Sequence, residues 1–223
     1  MLKRKLAAEA LGTALLLIGV VGSGIMAERL SPTDAGLQLF QNAAATAGVL
    51  LVIIVMFGPL SGAHFNPVVT LADWALGGFP RRHVAAYISA QITGAVIGTV
   101  LANLMFDLDA VNWSTKTRSA GHLWLGEVIA TVGLVAVIFA LVRTGRLQLV
   151  AGSVAAYIGA AYYFSSSTSF ANPAVTLGRM FSDTFAGIEP SSAPMFILMQ
   201  LIGLVLATGL IRFIYPDTRP DPV

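Results

Sequence analysis

Six stretches of this chain are apolar and long enough to cross a bilayer, which limits the fold more than any single residue does. They are Leu6–Met26, Ala43–Leu60, Val84–Phe106, Leu123–Val142, Leu147–Phe164 and Ala193–Ile214, all within or near the roughly 17–25 residues that span hydrocarbon as a helix. None alternates with a period of two, and in lipid only helices or closed barrels satisfy their own backbone. The expected fold is an all-α membrane protein with six transmembrane helices, one domain over residues 1–223. With 56% hydrophobic and 11% charged residues, against roughly 25% charged in an average soluble domain, the chain has more apolar surface than one core can cover. The excess must face lipid.

Six spans place both termini on one side. With termini inside, Lys3, Arg4, Lys5, Arg81, Arg82, Arg143, Arg146, Arg212 and Arg219 are cytoplasmic and only Arg29, Lys116, Arg118 and Arg179 lie outside. That asymmetry predicts cytoplasmic termini in a multi-pass protein of the cell (inner) membrane. The basic start before Leu6 invites a signal-peptide reading, but Glu9 interrupts it and the run has span length, so the segment is expected to stay. The basic residues serve topology and form no nucleic-acid face. Cysteine is absent, which excludes disulfides, thiolate zinc sites and a cysteine nucleophile but leaves the redox compartment undetermined.

Two further apolar stretches, Asn66–Leu76 and Asn172–Phe181, are too short to cross. Each begins with Asn-Pro, a strong helix start, because Asn caps an orphan N–H and Pro has none to satisfy. They are expected to be re-entrant half-helices. They also belong to an internal repeat. Glu9-Ala10-Leu11-Gly12-Thr13 returns as Glu127-Val128-Ile129-Ala130-Thr131, the Asn66 box as the Asn172 box, and Gln91-Ile92-Thr93-Gly94 as Gln200-Leu201-Ile202-Gly203. Each landmark occurs once per half in the same order, giving repeats of about 1–110 and 119–215. Three spans per half invert the second repeat, so the half-helices approach from opposite faces. Irregular backbone at membrane depth persists only when buried in protein or lining a wet cavity, so their meeting point is expected to line a pore.

Ser61-Gly62-Ala63-His64-Phe65-Asn66-Pro67-Val68 and Phe170-Ala171-Asn172-Pro173-Ala174 resemble the two NPA boxes of the aquaporin and aquaglyceroporin family. The likeness covers nearly the whole chain, with Val68 where the family usually has Ala. It implies a homotetramer with one pore per subunit, no cofactor, and Asn66 and Asn172 donating N–H bonds to a passing molecule. Two helix N-termini aimed at one spot would add the cation barrier general to aquaporin-type pores. Family members usually carry Arg three residues after the second-box Asn, whereas this chain has Val175. Ungapped counting puts the other filter positions at Thr46, Ala160 and Ser169, where water-selective members place bulkier Phe and His at the first two. The resemblance therefore implies a passive channel with a wide filter for small uncharged solutes. Glycerol-like polyols and undissociated arsenic or other metalloid acids, which some bacterial relatives carry, are the leading candidates, together with water.

Arg179 lies one turn beyond Val175, and helical side chains lean towards the N-terminus, so its guanidinium could return towards the filter. An arginine snorkelling at the mouth is the more ordinary expectation, and Asp73, its counterpart in the first half, is expected in a vestibule. Glu9 and Glu127 are the carboxylates within full spans, candidates for proton transfer by default. By resemblance they are expected instead to accept hydrogen bonds from loop N–H groups. His64 resembles the family's loop histidine, and no clustered Cys, His or Asp suggests a metal site. Gly94 and Gly98 predict close helix packing. The main alternative is an inverted-repeat secondary transporter, but no intramembrane charge set beyond the two glutamates suits a coupling ion. An enzyme would need a nucleophile, base and orienter within mutual reach, and none is visible.

Overall fold

The protein is described over residues 1–216 by a computed structural model, and Arg219 lies outside the described residues. Helix α1 runs from Leu2–Leu30 and α2 from Ala35–Ser61. The short α3, Pro67–Ala75, precedes α4 at Arg81–Met105. The second half repeats the order with α5 at Gly121–Arg143, α6 at Val150–Phe164, short α7 at Pro173–Gly178 and α8 at Ala193–Ile214. Among the described residues, six of the eight α-helices, counting a 3₁₀ turn at Leu147–Leu149 with α6, are long and apolar enough to span.

Several helices outrun the apolar stretches that announce them. α1 continues through Lys3–Lys5 at one end and Glu28–Arg29 at the other, because helical hydrogen bonding does not stop where lipid does. α2 begins at Ala35, where the Asp34 carboxylate accepts the Leu37 N–H at 2.9 Å, an ordinary N-cap. It ends at Gly62, whose φ of 92° is left-handed and suits glycine. The second half-helix is shorter than expected: α helix ends at Gly178 and the last turn, Arg179–Phe181, is 3₁₀.

Within each half the first helix packs on the other two, α1 on α2 and α4, and α5 on α6 and α8. α2 also packs on α6 across the halves, while α3 and α7 each touch both α4 and α8. Both short helices are thus gripped by the same pair of long ones. Contact between α1 and α4 depends on glycine. A Cβ at Gly94 would sit 2.1 Å from the Ala10 carbonyl oxygen, and one at Gly98 would sit 2.3 Å from that of Ala14. These obstacles are backbone and cannot rotate away.

Gly94→Val should therefore destabilise the fold by about 1–3 kcal/mol or more, the cost of overpacking a close interface. A detergent unfolding titration reads this as a lowered midpoint. Gly209→Ala is the control, since a Cβ there meets nothing within 4 Å. Equal midpoints for the two variants would refute the close α1–α4 approach.

Candidate pore

Each re-entrant loop is suspended from a buried glutamate. Glu9, 0% exposed, accepts Ser61 Oγ–H at 2.7 Å and the His64 N–H at 3.1 Å through Oε1. Through Oε2 it accepts the Phe65 N–H and Gln91 Nε2–H, both at 2.8 Å. Glu127, also 0% exposed, accepts the N–H groups of Phe170 and Ala171 at 2.9 Å and Gln200 Nε2–H at 2.6 Å. Both loops carry non-glycine residues at positive φ, including Phe65 at 48° and Ala171 at 47°. That backbone lies in the sparsely populated left-handed region and persists only where its surroundings hold it. The carboxylates do so by pairing amides that would otherwise be buried and unmatched.

The loops deliver Asn66 and Asn172 to the N-caps of α3 and α7, with Pro67 and Pro173 at the first helical positions. Asn66 Oδ1 accepts the Val68 N–H at 2.9 Å. Asn172 Oδ1 accepts those of Ala174 and Val175 at 3.0 and 3.2 Å. The side-chain amides then cross between halves: Asn66 Nδ2 donates to the Ala171 carbonyl and Asn172 Nδ2 to the Phe65 carbonyl, each at 2.8 Å. An amide NH₂ has two hydrogens, so one per asparagine remains for whatever occupies the adjoining space. That space is a cavity of about 670 Å³, which both asparagines line.

Aliphatic side chains such as Val20, Leu50, Leu134 and Ile158 form most of the wall. One mouth is bordered by Pro59, Asp73, Leu147 and Gln148, and the other end by Thr46, Tyr162, Phe170 and Arg179. Thr46, Ser169 and Val175 all line the cavity. Ala160 does not: it is exposed on the outer side of α6. Ungapped counting fails there because the inward face of α6 is carried by Val150, Val154, Ile158 and Tyr162 at four-residue spacing. Two residues away from Tyr162 means about 200° around an α-helix, so Ala160 faces outward. Tyr162 stands in its place, with its hydroxyl 3.1 Å from Thr46 Oγ1.

Arg179 also departs from the expected exposed mouth residue. It is 2% exposed and lines the cavity, with its guanidinium carbon 3.4 Å from the Phe170 ring centroid and Nε donating to the Ala186 carbonyl. Its place four residues after Val175 keeps this side chain on the cavity side of the half-helix. Behind it lies Arg118, which donates to the Gly187 carbonyl at 2.9 Å and lies 5.0 Å from the same ring. Burial pulls the Arg118 pKa down to about 10, partly countered by Glu127 and Tyr162, and leaves it cationic at neutral pH. Nothing in the sequence distinguished Arg118 from other loop arginines. Tyr162 was detectable from the four-residue row on α6.

At the opposite mouth His64 Nε2 lies 3.3 Å from Asp73 Oδ2 and Nδ1 lies 3.1 Å from Thr70 Oγ1. Val68 points away from the cavity into a buried cluster with Val135, Phe139, Ala207 and Ile211, which accommodates its extra carbons. Ala174, its counterpart, is also fully buried. Among the described residues, no group of three or more His, Cys, Asp or Glu could hold a metal ion.

Comparison with known proteins agrees with this geometry. Residues 1–166 match the model of the major intrinsic protein family. The chain is 50% identical over 219 residues to aquaglyceroporin AqpS of Rhizobium meliloti (strain 1021), covering 98% of this chain and 93% of that one. It is 32% identical to the probable aquaporin NIP7-1 of Arabidopsis thaliana, covering 96% and 78% respectively. The X-ray structure of the aquaglyceroporin from Plasmodium falciparum superposes with a TM-score of 0.74 at 19% identity, over 95% of this chain and 96% of that one, and so shares the fold. With its inverted repeat, crossed asparagines and lined cavity, the chain belongs to the major intrinsic protein family and is a passive transmembrane channel for small uncharged solutes.

Proposed function

We propose that this channel passes solutes of glycerol size, namely polyols and undissociated arsenic or other metalloid acids, as well as water. The observation that carries this reading is Val175. At the third position after Asn172, the side chain facing the cavity is an isopropyl group, so this position adds no long cation to the wall. In this reading the filter comprises Thr46, Tyr162, Ser169 and Val175, all of which line the cavity, with hydroxyls on three of them and hydrocarbon on the fourth. Such a mixed wall suits molecules that present oxygen on one side and carbon on another. Half of this sequence is shared with a relative named as an aquaglyceroporin, which supports the same solute class.

In this reading the protein assembles as a homotetramer in the cell (inner) membrane with both termini cytoplasmic. Val52 and Met56 on α2 and Val205 and Phe213 on α8 present exposed apolar surface to lipid or to neighbouring copies. Asn66 and Asn172 exclude ions at the centre, where two positive helix ends converge. The reading assigns no catalytic step.

Two outcomes follow, both measured in proteoliposomes at matched protein density. Val175→Arg adds a long side chain with five donors, and should lower the glycerol-to-water permeability ratio by about threefold or more, a barrier rise of about 0.7 kcal/mol. An unchanged ratio in folded protein would refute Val175 as a size determinant, and saturable flux driven by an ion gradient would favour a transporter. Asn66→Asp or Asn172→Asp puts a carboxylate against the positive helix ends. Either should reduce neutral-solute flux and raise cation leak, and wild-type values for both would count against the paired-box barrier.

A further inference from the structure

Arg179 is a buried cation whose protein partners do not use it fully. Its Nε donates to the Ala186 carbonyl and its flat face lies on Phe170. Among the described residues, no carboxylate lies within 4.0 Å of it and no acceptor takes the hydrogens of its two terminal nitrogens. A guanidinium removed from water without an anion is costly unless its donors find oxygen. It adjoins the cavity, whose lining it shares with Val175 and Ser169.

The surroundings hold this cation in place. Arg118 donates to the Gly187 carbonyl at 2.9 Å, next to the Ala186 carbonyl that anchors Arg179. It lies near Phe170 without lining the cavity. Phe170 is itself fixed through its N–H to Glu127 at 2.9 Å and by an edge contact with Phe196. The guanidinium is therefore restrained on its ring face and at Nε, leaving the terminal fork as its free edge.

We propose that Arg179, one turn beyond Val175, is the selectivity cation of this channel, and that its terminal fork binds oxygens of uncharged, oxygen-rich solutes such as polyols. This rests on the solute-channel reading above. A planar fork engages two oxygens at once, whereas an ammonium acts as a single compact charge. Charge and fork geometry consequently make separable contributions. The positive charge repels cations, and the fork lowers the cost of removing a polyol from water.

The test uses full-length wild type, Arg179→Lys and Arg179→Leu in proteoliposomes, with glycerol and water permeability and monovalent-cation leak measured in each preparation. Arg179→Leu should raise cation leak about tenfold or more and lower the glycerol-to-water ratio, a change corresponding to about 1.4 kcal/mol for the leak. Arg179→Lys should keep the low leak yet lose the glycerol preference. A purely structural arginine would not divide the two readouts in this way. Wild-type leak and ratio in Arg179→Leu overturn the inference, and if that variant does not fold, a wild-type glycerol ratio in Arg179→Lys overturns it. Absence of glycerol flux in the wild type itself overturns the underlying solute reading and this inference together.

Discussion

Two buried carboxylates hold this channel in shape. Removing an ionised carboxylate from water costs several kcal/mol, and Glu9 and Glu127 are both sealed from solvent. Hydrogen bonds to charged groups contribute about 1.5–3 kcal/mol each. Glu9 receives donors from Ser61, His64, Phe65 and Gln91, and Glu127 from Phe170, Ala171 and Gln200. The donors offset the burial of the charges, and the charges settle loop amides that no regular helix could pair. Neither side of the arrangement would be stable alone.

The glutamines complete the support. Gln91 Nε2 donates to both Glu9 and Thr70, and Gln200 Nε2 donates to both Glu127 and Thr176. Each ties two long helices to a short one, α4 to α1 and α3 in the first half and α8 to α5 and α7 in the second. The repeated Glu, Gln and Thr therefore form a bracket in each half, which sets how far the asparagine projects into the cavity. The wall beyond the bracket can then vary in chemistry while the centre keeps its form.

Much of this fold was legible in the chain itself, because hydropathy, length and the Asn-Pro starts are local properties. α8 begins and ends where its apolar run does, at Ala193 and Ile214. The paired landmarks also located both glutamates and both asparagines. Legibility declined where position depends on the path between landmarks. Ala160 was reached by counting back through a loop whose backbone visits positive φ at Thr168, Ser169 and Ala171, so its helical phase was lost and Tyr162 was missed. Arg179 was ambiguous because its spacing gives the helix face but not whether the segment around Ala186 folds back over it. Arg118 was invisible, since its role arises only when the loop after α4 folds onto residues 185–187.

The crossed asparagine bonds also bear on the order in which the protein can mature. Their partners are separated by 105 and 107 positions, far beyond the reach of local folding, and each bond needs a carbonyl from the other half. During synthesis the first loop must therefore wait, with Asn66 lacking its acceptor, until Ala171 has been made and inserted from the opposite face. Contacts of such long separation form late, because chain entropy must be lost before they can add stability. The central passage is thus complete only when both halves are in place, and neither half encodes a finished channel.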